Sequence, residues 1–149
     1  KASSKGNKVI LNPAPARPLS DDLLNCLYLI TPNETEAELL TGIKVKDGPS
    51  AEQAAIKLRF KGVQNVIITM GGSGAYLFTG TISKMITVTP VKAIDTTAAG
   101  DVFNGALAVA ISEGKNIEEA VTFANKAASI SVTRMGAQAS APYRSEIHP

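Results

Sequence analysis

This chain of 149 residues is short of one-sided charge, of cysteine and of long apolar runs. Lys and Arg number 15 against 13 Asp and Glu, a formal net charge of +2, and the basic residues are scattered. So even a balance argues against a nucleic-acid partner or an anionic membrane surface. The cleanest apolar run, GALAVAI (Gly105–Ile111), is far below the roughly 20 residues needed to cross a bilayer. The opening KASSKGNK has basic residues but no apolar stretch behind them, so it does not read as a secretory leader. It reads as the frayed tail of a helix stopped at Gly6, as though the chain were a fragment. Cys26 is the only cysteine, which excludes an intrachain disulfide and fits a cytoplasmic location. Its setting, LLNCLYLI, predicts a buried, inert thiol. The single histidine, His148, is assigned no role. No repeat, low-complexity tract or long linker divides the chain.

What remains has the make-up of a folded domain, 44% hydrophobic and 19% charged. Strand-like apolar runs fall at Val9–Leu11, Leu27–Thr31, Val66–Met70, Ala75–Thr79 and Lys84–Val91. The first three are short and continuous, as in strands covered on both faces. The last two, joined by a short Gly-Thr connection, predict a hairpin. Helical patterns alternate with them. Asn33 with Glu36, Ser50 with Gln53 and Asn116 with Glu119 have capping-box spacing, and Gly42, Gly62 and Gly136 stop the three helices. A further apolar face runs Val102, Phe103, Ala106, Leu107, Ala110 and ends at Gly114. Strands alternating with helices predict an α/β fold, a Rossmann-like, largely parallel sheet flanked by helices.

The chemistry concentrates in AIDTTAAGDVFNGAL (Ala93–Leu107). A helix starts near Ala98 or Ala99, at negative φ as helix starts require. Its first amides lack intrahelical partners and carry partial positive charge. Ala98, Ala99 and Gly100 put almost no side chain in front of them, so an anion can reach the backbone. Asp101 lies in the first turn, where it can accept a proton beside a bound phosphoryl group. Asp95 precedes the helix and can cap it or help bind a cation. Each piece also has a plain structural explanation, as a cap, a first-turn acid or small packing residues. The same is true of TMGGSGAY, a glycine-rich loop after a strand that is not a Walker A loop. It is true again of TPNETEAE, where Asn33 can cap and Glu36 can hold magnesium through water. Together these pieces are what phosphoryl transfer requires.

DTTAAGDVFNGAL resembles the C-terminal signature of the ribokinase family of carbohydrate kinases, which usually carries glycine where Ala98 stands. LNPAPA (Leu11–Ala16), TPNETEAELLTG (Thr31–Gly42) and RMGAQASAP (Arg134–Pro142) are similar to further segments of that family in the same order. The resemblance implies that Asp101 is the base that deprotonates a sugar hydroxyl, with Ala98, Ala99 and Gly100 as the anion hole. It implies ATP binding at Asn33, Thr69, Gly71, Gly72, Ser73, Gly74, Gly100 and Asn125. It implies magnesium at Glu36, and potassium near Asp95, Thr97, Ser131, Arg134, Gly136 and Ser140. Family members are about twice as long, so residues 1–149 correspond to the C-terminal, ATP-binding and catalytic part. The N-terminal half, with its sugar contacts and lid, has no counterpart here. The implied reaction is ATP-dependent phosphorylation of D-ribose to ribose 5-phosphate. Phosphorylation of fructose, another sugar or a nucleoside, or nucleotide binding without activity, are the alternatives. A homodimer formed through the lid is implied for the full-length protein.

Overall fold

The computed structural model describes residues 1–147, and His148 lies outside the described residues. The chain separates into two compact units, Lys1–Gly71 with Ala75–Met85, and Gly72–Gly74 with Ile86 onward.

The first unit is built on five strands in the order β1 to β5: β1 (Ile10–Leu11), β2 (Leu29–Ile30), β3 (Asn65–Thr69), β4 (Ala75–Phe78) and β5 (Ser83–Ile86). The first three are parallel, with Leu11 opposite Ile30 and Ile30 opposite Val66, and β4 runs antiparallel to β3. Leu29, Ile30, Val66, Ile67 and Ile68 are fully buried, as continuous apolar strands predict. Each such side chain contributes about 1.5–3 kcal/mol by leaving water. The β4–β5 connection is closed by Thr79, whose Oγ1 accepts from the amides of Thr81 and Ile82. The last strand stops at Ile86 instead of continuing to Val91, and Pro90, which has no amide to give a ladder, lies in the lost stretch.

Three helices accompany these strands. The sequence reading missed α1 (Asp21–Leu24), a single turn capped by Ser20. Asn33 and Glu36 make the expected capping box of α2 (Glu34–Thr41), which ends on left-handed Gly42. In α3 (Gly48–Phe60) the cap is Asp47 and Ser50 is its capping-box partner, so the helix begins earlier than a Ser50 cap predicts. Asp47 wins because it lies before Gly48-Pro49, and proline suits a first helical turn. Cys26 is exposed, contrary to the buried thiol expected, because the neighbours that turn inward are Leu24 and Leu27. The opening segment is one 3₁₀ turn, Ser3–Lys5, closed by left-handed Gly6.

The second unit is dominated by two helices packed on each other, α4 (Ala99–Ser112) and α5 (Ile117–Ser131). Phe103, Leu107 and Ala110 of α4 and Ala120, Val121, Ala124 and Ala127 of α5 are buried. The small residues let the two helices approach closely. Asn116 and Glu119 form the predicted capping box of α5. That helix ends at Ser131 rather than at Gly136, and Gly136 instead supplies a left-handed turn in the loop beyond. Among the described residues no helix is long and apolar enough to cross a membrane.

Candidate active site

The start of α4 differs from the other long helices. Asn33, Asp47 and Asn116 cap their helices through side chains, whereas α4 has no side-chain cap. The Ala99 amide donates to Thr96 O at 3.2 Å and the Val102 amide to Ala98 O at 2.9 Å. Between them, the Gly100 and Asp101 amides have no protein acceptor among the described residues. Asp101 is exposed. Asn104, absent from the sequence reading, fastens the turn by donating from Nδ2 to Gly100 O at 2.9 Å.

Ala98 overturns the expectation of negative φ. It sits at φ 62°, ψ 11°, the one non-glycine residue with positive φ among those described. The left-handed region costs an L-residue with a Cβ about 1–2 kcal/mol. Ala98→Gly is therefore expected to stabilise the fold by about 0.5–1 kcal/mol, after the extra freedom glycine brings to the unfolded chain. Urea unfolding reads this as a raised midpoint at unchanged slope.

Asp95 ties the distant stretch 132–136 to this helix start. Its Oδ1 accepts from Thr97 N and its Oδ2 from Gly136 N, both at 2.9 Å. The Ile94 and Asp95 amides both donate to Val132 O. Hydrogen bonding to Thr97, through its side chain first and its amide second, and to the Gly136 amide holds the Asp95 carboxyl below the usual aspartate range. Its stabilising effect is therefore complete above the unfolded-state value and fades as pH falls through the lower folded value. The stability gap between wild type and Asp95→Asn is expected to be constant near neutrality and to close below about pH 4. Urea unfolding at pH 7 and at pH 3 checks it.

The other residues implied for potassium are in the same unit but are differently engaged. The hydroxyls of Ser131 and Ser140 donate to the carbonyls of Ala128 and Ala137. The Arg134 guanidinium pairs with Glu146, which also accepts from Tyr143 N. A guanidinium has no acceptor, so Arg134 could serve a cation only through its main-chain carbonyl. The Arg134 bond first, and the Tyr143 amide next, hold the Glu146 carboxyl below its usual range.

In the first unit, Asn33 Oδ1 accepts from Glu36 N at 2.8 Å and Glu36 Oε2 accepts from Asn33 N at 2.9 Å. Asn33 forms an isolated parallel bridge with Thr69, and the Thr69 amide donates to Pro32 O. Two of the implied ATP-binding residues thus meet, Asn33 beyond the end of β2 and Thr69 at the last residue of β3. Among the described residues no cluster of three acidic, histidine or cysteine side chains could hold a metal alone. Glu36 would contribute one carboxylate to a hydrated magnesium ion, as is usual where substrate phosphates supply other ligands.

In the second unit, Gly72 and Ser73 are exposed and Gly74 is buried at φ 104°. Asn125 is buried, and its Nδ2 donates to Ile86 O at 2.9 Å. Asn125 borders a cavity of about 330 Å³ shared with Thr87, Thr122, Lys126, Ser129 and Glu146. A second cavity, of about 480 Å³, lies against Ala98, Asp101, Val102, Phe123, Pro142 and Arg144. Arg144 stacks 4.3 Å over the Phe123 ring and bonds Glu113 at 2.9 Å. Ile86 and Glu146 were not legible as site residues, because one acts through its carbonyl and the other through a partner twelve residues away.

The model of the pfkB family of carbohydrate kinases matches residues 1–144. This chain belongs to that family. Among pfkB kinases, the ribokinase of Haemophilus influenzae is 51% identical over 97% of this chain and 47% of its own length. The ribokinase structure from Thermotoga maritima superimposes with a TM-score of 0.89 at 46% identity, covering 98% of this chain and 50% of that one. Arabidopsis thaliana ribokinase, solved with ribose and ATP, gives 0.92 at 36% identity, covering 97% of this chain and 47% of that one. The chain spans about half the length of the curated relatives it matches.

Proposed function

We propose that this chain is the nucleotide-binding and catalytic part of a pfkB kinase that moves the γ-phosphoryl group of ATP to the 5-hydroxyl of D-ribose. The observation that carries it is the start of α4, with its unengaged Gly100 and Asp101 amides beside an exposed carboxylate in the first turn. The names of its relatives and the ribose- and ATP-bound neighbour favour ribose as acceptor.

In this reading Asp101 takes the proton of the sugar hydroxyl as that oxygen bonds to the γ-phosphorus, and the bond to the β-phosphate oxygen breaks to release ADP. The amides face the charge gathering on the phosphoryl oxygens, which is where fixed donors accelerate such transfers most. Asn33, Thr69 and Gly71 through Gly74 bind the nucleotide. Glu36 serves magnesium, which neutralises phosphate charge when bound, and the Asp95–Gly136 region serves a monovalent cation. The cavity at Asp101 is walled mainly by alanine, valine, phenylalanine and proline. Such walls offer a polyhydroxyl ligand few partners beyond Asp101, which supports the reading that most of the sugar contacts come from the half of the family fold outside this chain.

Two measurements test this. By calorimetry the 149-residue chain should bind MgATP while forming ribose 5-phosphate poorly. A family-length protein carrying it, followed by ³¹P NMR with ribose, deoxyribose, fructose and a nucleoside, should make ribose 5-phosphate fastest. Preference for another acceptor would reassign the substrate, and absence of phosphorylated product would refute the kinase reading.

A further inference from the structure

Three features of the second unit meet at one main-chain carbonyl. Asn125 lies within α5, where asparagine is a mediocre helix former, and is only 5% exposed. Its buried amide is used: Nδ2 donates to Ile86 O, 39 residues away in sequence. The same oxygen stands 2.2 Å from where a Cβ on Gly74 would lie, with Thr87 Cα at 3.1 Å. The Gly74 end of the glycine loop therefore rests directly on the Ile86 peptide. Gly72, by contrast, has nothing within 4 Å of its Cβ position. Gly72 and Ser73 lie in a 3₁₀ turn, Gly71–Ser73, whose Gly74 end rests on the Ile86 peptide, and Asn125 holds that peptide.

We propose that Asn125 is a positioning residue for the nucleotide: it clamps the Ile86 carbonyl, and through it fixes where the Gly72–Gly74 amides stand. This rests on the reading of that loop as a nucleotide site and says how the site is held. It differs from direct contact, in which Asn125 would bond the nucleotide and leave the loop indifferent to its loss. A clamp also accounts for a buried asparagine at a position where alanine would favour the helix more. Losing it leaves the Ile86 carbonyl without this donor and frees the loop end.

The test uses the 149-residue chain with two readouts: amide hydrogen exchange at Gly72, Ser73 and Gly74 without nucleotide, and MgATP affinity by calorimetry. Asn125→Ala should speed loop exchange and weaken MgATP binding, each by about tenfold, the worth of one buried hydrogen bond. Exchange in the first turns of α4 should be unchanged. Asn125→His, whose ring Nδ1–H is bonded to Cγ as the asparagine nitrogen is, should recover both. If Asn125→Ala does not fold, Asn125→Leu, which keeps the branched shape and loses the donor, gives the same comparison. Weakened binding with unchanged loop exchange would make Asn125 a direct ligand and overturn the proposal. Faster loop exchange with unchanged affinity would overturn it too, since the loop would then not serve the nucleotide. No binding by the wild-type chain would overturn the nucleotide reading first, and is seen before any substitution is made.

Discussion

Asp101→Asn should lower kcat for sugar phosphorylation by about 10²–10⁴-fold, the usual worth of a positioned general base. Measured in a family-length protein, MgATP affinity should stay within about twofold, since the loss falls on the transition state. Asparagine keeps the size of the side chain and its place in the first turn of α4, but it cannot take a proton. The exposed setting of Asp101 means that no packing is lost. The fold should lose no more than about 1 kcal/mol, the value of a negative charge at a helix start. Activity and stability are thus expected to separate widely. A kcat within tenfold of wild type would remove Asp101 from the chemistry and leave it a first-turn acid.

Gly74→Ala should be the most damaging glycine substitution in the loop. Its φ of 104° is one that L-residues rarely adopt, and the new methyl group would stand 2.2 Å from the Ile86 carbonyl oxygen. Backbone strain and overpacking of this kind each cost about 1–3 kcal/mol, so a combined loss of about 3 kcal/mol is expected. For a chain of this length that lowers Tm by roughly 6–12 °C, readable by circular dichroism. Gly72→Ala provides the internal comparison, because its added methyl would meet nothing within 4 Å. It should change stability by less than about 0.5 kcal/mol. Equal effects at the two positions would mean that contact with Ile86 does not set the demand for glycine.

The parts of this molecule that could be read from the sequence are those governed by neighbours in the chain. The Asn33–Glu36 and Asn116–Glu119 boxes follow from a three-residue spacing, and the burial of β2 and β3 from unbroken apolar runs. The cap of α3 was misplaced because Asp47 and Ser50 are both good caps, and the Gly48-Pro49 pair between them decides. Features set by partners remote in sequence stayed hidden. Nothing local tells that Asn125 will meet Ile86, that Asp95 will meet Gly136, or that Arg134 will meet Glu146. The left-handed twist at Ala98 was hidden for a different reason. Residue type argued for negative φ, and the loop entering α4 imposed the opposite on a residue that pays a steric cost for it.

Glu36 shows what a helix cap can do besides capping. A free glutamate swings through many rotamers, and pinning it costs up to about 1.5–2 kcal/mol of side-chain entropy. Here the Asn33 amide already pins it through Oε2, while Oε1 is assigned no donor among the described residues. The search has been done in advance: a hydrated cation arriving at the mouth of α2 would find an anchored oxygen instead of a wandering one.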